Sequence, residues 1–134
     1  MGEVSKSAVI DSNILIYHIN GQMDLVAEAA LSDCFCIPAY ISTITAIEVL
    51  TWPGHTEESA ALTAELLDAF EEISIDQEVK SVAISIRRAY KLKIPDAIIA
   101  ATALHLGIPL ITRNVKDFRN IPDLELINPF ENVT

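Results

Sequence analysis

The chain has 134 residues, 51% of them hydrophobic, with only 4 Gly and 6 Pro. Such a length and composition suit a single domain with its own apolar core, residues 1–134, and exclude disordered and collagen-like classes. The formal net charge of -10 argues against a nucleic-acid partner for the chain taken as a whole.

Ala8-Val9-Ile10 reads as a short buried strand that stops at Asp11-Ser12-Asn13, a cluster suited to capping a helix over 14–19. Asn20-Gly21 breaks that helix, and a second is expected over 23–31. The segment 35–42 holds the next strand, with Pro38 near its start or at a bulge. Cys34 and Cys36 would then share one strand face. They lack the second pair or spaced His that zinc needs, so they read as reduced core thiols. Residues 43–52 form a short helix stopped by Pro53-Gly54. Thr56 caps an amphipathic helix with Leu62, Leu66, Leu67 and Phe70 on one side and Glu57, Glu58, Glu65, Asp68 and Glu71 on the other.

A strand over 73–75 leads to Asp76, which caps a helix marked by Val79, Val82, Ala83, Ile86 and Tyr90. Pro95 and Gly107 frame the next helix, whose apolar residues surround its whole circumference, so it is expected to be buried on nearly all sides. Strands over 108–112 and 124–127 follow. Strands alternating with helices imply an α/β fold, a central, mostly parallel sheet flanked by helices on both faces. No apolar run reaches the ~18 residues of a membrane span, and Glu3, Ser5 and Lys6 do not make a secretory signal. Lys6 also stands where a myristoylation motif needs Ser or Thr. A cytoplasmic protein is expected.

Charge is unevenly distributed. Of 9 Lys and Arg, only Lys6 precedes residue 80. From Lys80 to Arg119 eight basic residues face two acids, Asp96 and Asp117, a net +6. A basic segment of this kind can hold phosphate while the remainder repels it, or can simply be a solvated helix face.

The acids themselves recur at element ends. Asp11 follows the first strand, Asn114 and Asp117 follow the strand over 108–112, Asp96 opens the buried helix, and Glu48 lies a turn or two into another. Each has a local explanation. Asp11 and Asp117 can cap turns, Asp96 can serve the free N–H groups of a helix start, and Thr45-Ala46-Ile47-Glu48 fits a capping box. In open α/β sheets, however, ligands gather beyond the carboxyl ends of the strands. Acids converging there would repel one another without a cation, and oxygen ligands of this kind suit Mg²⁺ or Mn²⁺.

The same residues carry a resemblance. Ala8-Val9-Ile10-Asp11-Ser12-Asn13-Ile14-Leu15, Thr45-Ala46-Ile47-Glu48-Val49-Leu50, Pro95-Asp96-Ala97-Ile98-Ile99-Ala100-Ala101-Thr102-Ala103 and Leu110-Ile111-Thr112-Arg113-Asn114-Val115-Lys116-Asp117-Phe118 resemble, in order, the four motifs of PIN-domain ribonucleases. The closing Leu126-Ile127-Asn128-Pro129-Phe130 also matches, and the length resembles VapC-type toxins of toxin–antitoxin pairs. The resemblance implies a PIN-like fold and an endoribonuclease dependent on Mg²⁺ or Mn²⁺. Asp11 and Asp96 would be its main metal ligands, with Glu48 as a third acid. Many members carry Asp where this chain has Asn114, which leaves open whether Asn114, Asp117 or both complete the set. Asn13 and Thr112 match positions that support the site by hydrogen bonding.

Arg113, Lys116, Arg87, Arg88 and Lys91 are the candidates for holding RNA. A VapB-like antitoxin and a homodimer are the implied partners. Two other readings compete with this one. A PIN-like module without catalysis would keep the fold and lose the chemistry, and Asn114 keeps that reading open. An α/β phosphotransfer domain would use Asp11 as phosphoacceptor, but would have no need of Glu48 and Asp96. His18, His55 and His105 have no spacing that suggests acid–base work.

Overall fold

The computed structural model describes residues 7–34 and 39–130. The chain runs β1 (Ala8–Ile10), α1 (Ser12–Ile19), α2 (Leu25–Cys34), β2 (Ala39–Ser42), α3 (Thr43–Leu50), α4 (Glu57–Leu67) and β3 (Glu71–Ile73). It continues with α5 (Gln77–Tyr90), α6 (Ile94–Leu106), β4 (Leu110–Ile111), α7 (Val115–Phe118) and β5 (Leu126–Ile127). All five strands are parallel, in the order β3-β2-β1-β4-β5. The sheet expected to be mostly parallel is therefore parallel throughout.

Because successive strand residues point to opposite faces, each strand feeds two cores. Ala8, Ile10, Ile41 and Ile111 pack with Ile14, Leu15, Leu31 and Val49, so the first four helices cover one face. Val9 and Leu110 pack with Val79, Ile86, Ile99 and Phe118, placing α5, α6 and α7 on the other. β1 is covered on both sides, and Val9 and Ile10 are fully buried. After β3 the chain crosses over β1 to build β4 and β5, so the strand order reverses between β1 and β4. That reversal opens a crevice at the strand ends, where open α/β sheets bind ligands.

Local signals set most helix ends. Thr56 accepts a hydrogen bond from the Ser59 amide at 3.0 Å, and Asp76 accepts one from Val79 at 2.9 Å. Gly107 closes α6 with φ +69°, a conformation that a Cβ would strain. As expected, α6 is buried around its circumference, with Ile99, Ala100, Ala101, Thr102 and Ala103 all inaccessible.

Several expectations need correction. The third strand is Glu71–Ile73, not 73–75. It pairs only with β2, and an edge strand can carry exposed Glu71 and Glu72, which also discourage pairing with another chain. Leu62 is 60% exposed, because α4 buries the narrower stripe of Thr63 and Leu67. Cys34 ends a helix, so it shares no strand face with Cys36, which lies outside the described residues, as do positions 35–38 of the expected second strand. The fourth and fifth strands are shorter than expected, two residues each.

Candidate active site

Asp11 leaves β1 at its carboxyl end and Thr112 leaves the adjacent β4. The pairing of Ile10 with Ile111 sets the two side by side. The Thr112 hydroxyl donates to Asp11 Oδ2 at 2.8 Å and accepts the Asn114 amide at 3.0 Å. Asp11 is only 3% exposed. It occupies the N-cap position of α1, yet its side chain makes no cap hydrogen bond. The capping explanation of Asp11 therefore fails: its carboxylate reaches across to β4.

Glu48 is turned inward by α3. Ser42, in extended conformation, caps that helix by accepting the Ile44 amide, so Thr45 lies inside it and the apparent Thr45-to-Glu48 capping box does not form. Instead the Ser12 hydroxyl donates to Glu48 Oε1 at 2.6 Å and shares a 3.1 Å hydrogen bond with the Thr45 hydroxyl. Asp96 stands half-buried in the first turn of α6, while Lys93 holds the N-cap position without a side-chain bond. Asp117 is exposed on α7, where the Asn114 amide group donates to its Oδ2 at 2.6 Å.

These acids feel one another. Burial pushes Asp11 up to about 6 from an ordinary 3.8; the Thr112 hydroxyl draws it down, Asp96 and Glu48 push it further up, and the Ser12 backbone opposes them. Asp96 is raised too, first by burial, then by Glu48 and Asp117, with Lys93 opposing. Asp11 thus feels Asp96 and Glu48, and Asp96 feels Glu48 and Asp117, although no three of these acids bring ligand atoms within 4.8 Å of one another. The Thr112 hydroxyl is central to this arrangement. Thr112→Val keeps the volume but strips Asp11 of its donor and leaves the Asn114 amide unanswered. We expect a loss of ~1–3 kcal/mol in urea unfolding; an unchanged midpoint would mean that water replaces the hydroxyl.

Thr112 makes the supporting hydrogen bond expected of it, and Ser12 makes one where Asn13 was expected. Ser12 and Thr112 make the supporting hydrogen bonds, whereas Asn13 is exposed and makes no side-chain hydrogen bond among the described residues. Sequence reasoning does not single out Ser12, although it stands beside Asp11 in the first motif. The basic candidates divide. Arg113 lies beside Asn114, its Cζ 4.2 Å from the Phe130 ring centre and 5.2 Å from that of Tyr17. Lys116 is exposed on α7. Arg87 Nε donates to the Leu92 carbonyl at 3.1 Å, closing the end of α5, and Lys91 is the left-handed cap of that helix at φ 59°. Arg87 and Arg88 border a separate, largely apolar cavity of about 450 Å³ between α5 and α6.

The histidines serve local contacts. His18 lies 2.9 Å from Glu28, and His55 bridges the Val49 carbonyl and Ser59. His105 forms an exposed cluster with Asp76 and Glu78, whose ligand-type atoms lie within 4.8 Å of one another. It is the one such trio among the described residues, and it includes none of Asp11, Glu48, Asp96 and Asp117. Asp76 is already the cap of α5, and His105 pairs with Glu78 at 3.5 Å.

The chain matches the PIN domain family over residues 8–124. It belongs to that family. Its PIN fold is shared by a chain of a toxin–antitoxin complex from Klebsiella pneumoniae, 38% identical, with 93% of this chain and 99% of that one covered and a TM-score of 0.77. VapBC2 from Rickettsia felis, bound to a DNA fragment from its promoter, is 23% identical over 91% of this chain and 98% of that chain, with a TM-score of 0.77. FitAcB from Neisseria gonorrhoeae is 22% identical over 93% and 99%, with a TM-score of 0.80. At those lower identities the likeness speaks for the fold. No curated protein matched. The resemblance to the PIN domain family is borne out. No helix among the described residues is long and apolar enough to cross a membrane.

The donor set suits a divalent cation. The carboxylates offer hard oxygens, and burial and repulsion resist the ionisation of Asp11 and Asp96, a cost that a cation would offset.

Proposed function

We propose that this PIN domain is an endoribonuclease dependent on Mg²⁺ or Mn²⁺ and the toxin of a VapBC-type pair, acting in the cytoplasm. A VapB-like antitoxin would restrain it and a homodimer would be its working form. The observation that supports the reading is Asp11, buried at the carboxyl end of β1 and pushed up to about 6 by burial, with Asp96 and Glu48 adding to the push. The Klebsiella pneumoniae neighbour, described as a toxin–antitoxin complex, supports the antitoxin partner.

Asp11 and Asp96 would hold the cation, with Glu48 and Asp117 completing the set. When bound, it supplies charge neutralisation at the phosphate and makes a water molecule more acidic. Thr112 fixes the Asp11 carboxylate in one orientation. Ser12 occupies one oxygen of Glu48 and leaves the other to take a proton from the attacking water. Asn114 orients Asp117 in the same way. Arg113 and Lys116 lie on the segment after β4, where they can hold the RNA backbone, and Arg87, Arg88 and Lys91 would extend that path along α5. Asp11 at 3% exposure is poorly placed to receive a phosphoryl group, which weighs against a phosphotransfer switch.

Single-stranded RNA incubated with the chelator-treated protein tests the reading. Cleavage should be absent in chelator and appear on addition of Mg²⁺ or Mn²⁺. Full cleavage in chelator, or none in either metal, would overturn it.

A further inference from the structure

We infer that Asn13, Tyr17, Arg113 and Asn114 form a subsite for one nucleotide beside the acidic strand ends, with Arg113 gripping a phosphate and Asn13 hydrogen-bonding the base. The inference rests on the nucleic-acid reading of the site and adds to it where the strand is held. These four residues line a cavity of about 290 Å³. That is at the small end of ligand-binding cavities, so it has room for one nucleotide and not for a run of them. Its position is fixed by the crevice. Asn13 comes two residues after Asp11 on α1, and Asn114 comes two residues after Thr112, whose hydroxyl holds Asp11.

Arg113 is pre-organised. Its guanidinium lies against Phe130 and Tyr17, whose rings meet edge to face with centroids 5.2 Å apart. Contacts with ring faces restrain the guanidinium plane and use none of its N–H donors. In a chain with a net charge of -10, Arg113 nevertheless makes no ion pair with an acid among the described residues. A fixed guanidinium with no acid partner among the described residues, one residue after Thr112, suits a phosphate.

Asn13 supplies the complement. Its amide is exposed and unbonded among the described residues, offering a donor and an acceptor side by side. Bases of a single strand present their edges freely, and every base carries a donor and an acceptor side by side that an Asn amide can meet. The subsite should therefore hold a base through Asn13 without selecting one.

Equilibrium binding separates this inference from the nuclease reading. The full chain, in chelator so that RNA stays intact, is titrated over a range of salt with short labelled oligo(A), oligo(C) and oligo(U) and with an abasic oligomer of the same length. Wild type should bind the base-bearing oligomers more tightly than the abasic one, by ~3–10-fold. Asn13→Ala should erase that preference and leave the salt dependence unchanged. Arg113→Ala should lower the slope of log affinity against log salt by ~1 for every oligomer and keep the preference for base-bearing RNA. Equal binding of abasic and base-bearing oligomers by wild type, or a preference that survives Asn13→Ala, would overturn the subsite. So would an unchanged slope in Arg113→Ala. Cleavage of the same RNA in Mg²⁺ or Mn²⁺ is scored separately. Its absence beside the expected binding pattern would sink the ribonuclease assignment and leave the subsite standing.

Discussion

Asp96→Asn should lower metal-dependent RNA cleavage by about a thousandfold while the protein stays folded. The substitution is nearly isosteric, and Asp96 makes no side-chain hydrogen bond that caps α6. A charge at a helix start is worth only ~0.3–1 kcal/mol. Removing this one also relieves repulsion from Glu48 and Asp117, so stability should hold or rise slightly. Catalysis has more to lose. Charge stabilisation by a metal amounts to several kcal/mol, and each ~1.36 kcal/mol is a factor of ten in rate. Single-turnover cleavage in Mg²⁺, read beside a thermal melt of the same sample, checks both halves. A folded variant cutting at near wild-type rate would show that Asp96 serves only the helix.

Much of the frame behind that prediction is legible in the sequence, because it depends on signals confined to one segment. Pro95 and Gly107 bracket α6, Thr56 and Asp76 cap their helices, and the apolar run of β1 stops at Asp11. The lone acid on an apolar helix is visible in the same way. What the sequence hides is the pairing of side chains. Ser12 meets Thr45 and Glu48 across 33 and 36 residues, and Thr112 meets Asp11 across 101. Those meetings follow from the strand order, and local periodicity carries no information about it.

Two misreadings have this origin. The spacing from Thr45 to Glu48 imitates a capping box, and only the extended backbone of Ser42 at the end of β2 reveals that the helix has already begun. Asn13 and Ser12 are equally polar and adjacent, but residues one step apart on a helix diverge by about 100°. The docking of α1 against α3 then decides that Ser12 faces Glu48 and that Asn13 faces solvent. The β3 shift is different in kind. Glu71 and Glu72 look unlike strand residues, yet pairing with β2 on one side suffices at an edge.

Without divalent metal at pH 7, Asp11→Asn should be more stable than wild type, by up to ~2–3 kcal/mol. Burial holds the Asp11 carboxyl at about 6 in the folded chain, against an ordinary 3.8. Between those values the folded protein binds a proton that the unfolded chain releases, so wild-type stability falls as pH rises through the window. Asp96, raised in the same direction, adds to the fall. The asparagine variant cannot ionise at this position, and its amide oxygen can still accept the Thr112 hydroxyl. The two proteins should therefore differ little near pH 4 and separate by pH 7, as read from urea unfolding in chelator. Mg²⁺ or Mn²⁺ should then narrow or reverse the order. A ligand that binds only the folded state stabilises it by mass action, and the variant has lost the buried carboxylate that would bind it. Wild-type stability that stays flat between pH 4 and 7 would remove the buried, repelled carboxylate from the account. An equal response of both proteins to metal would place the cation away from Asp11.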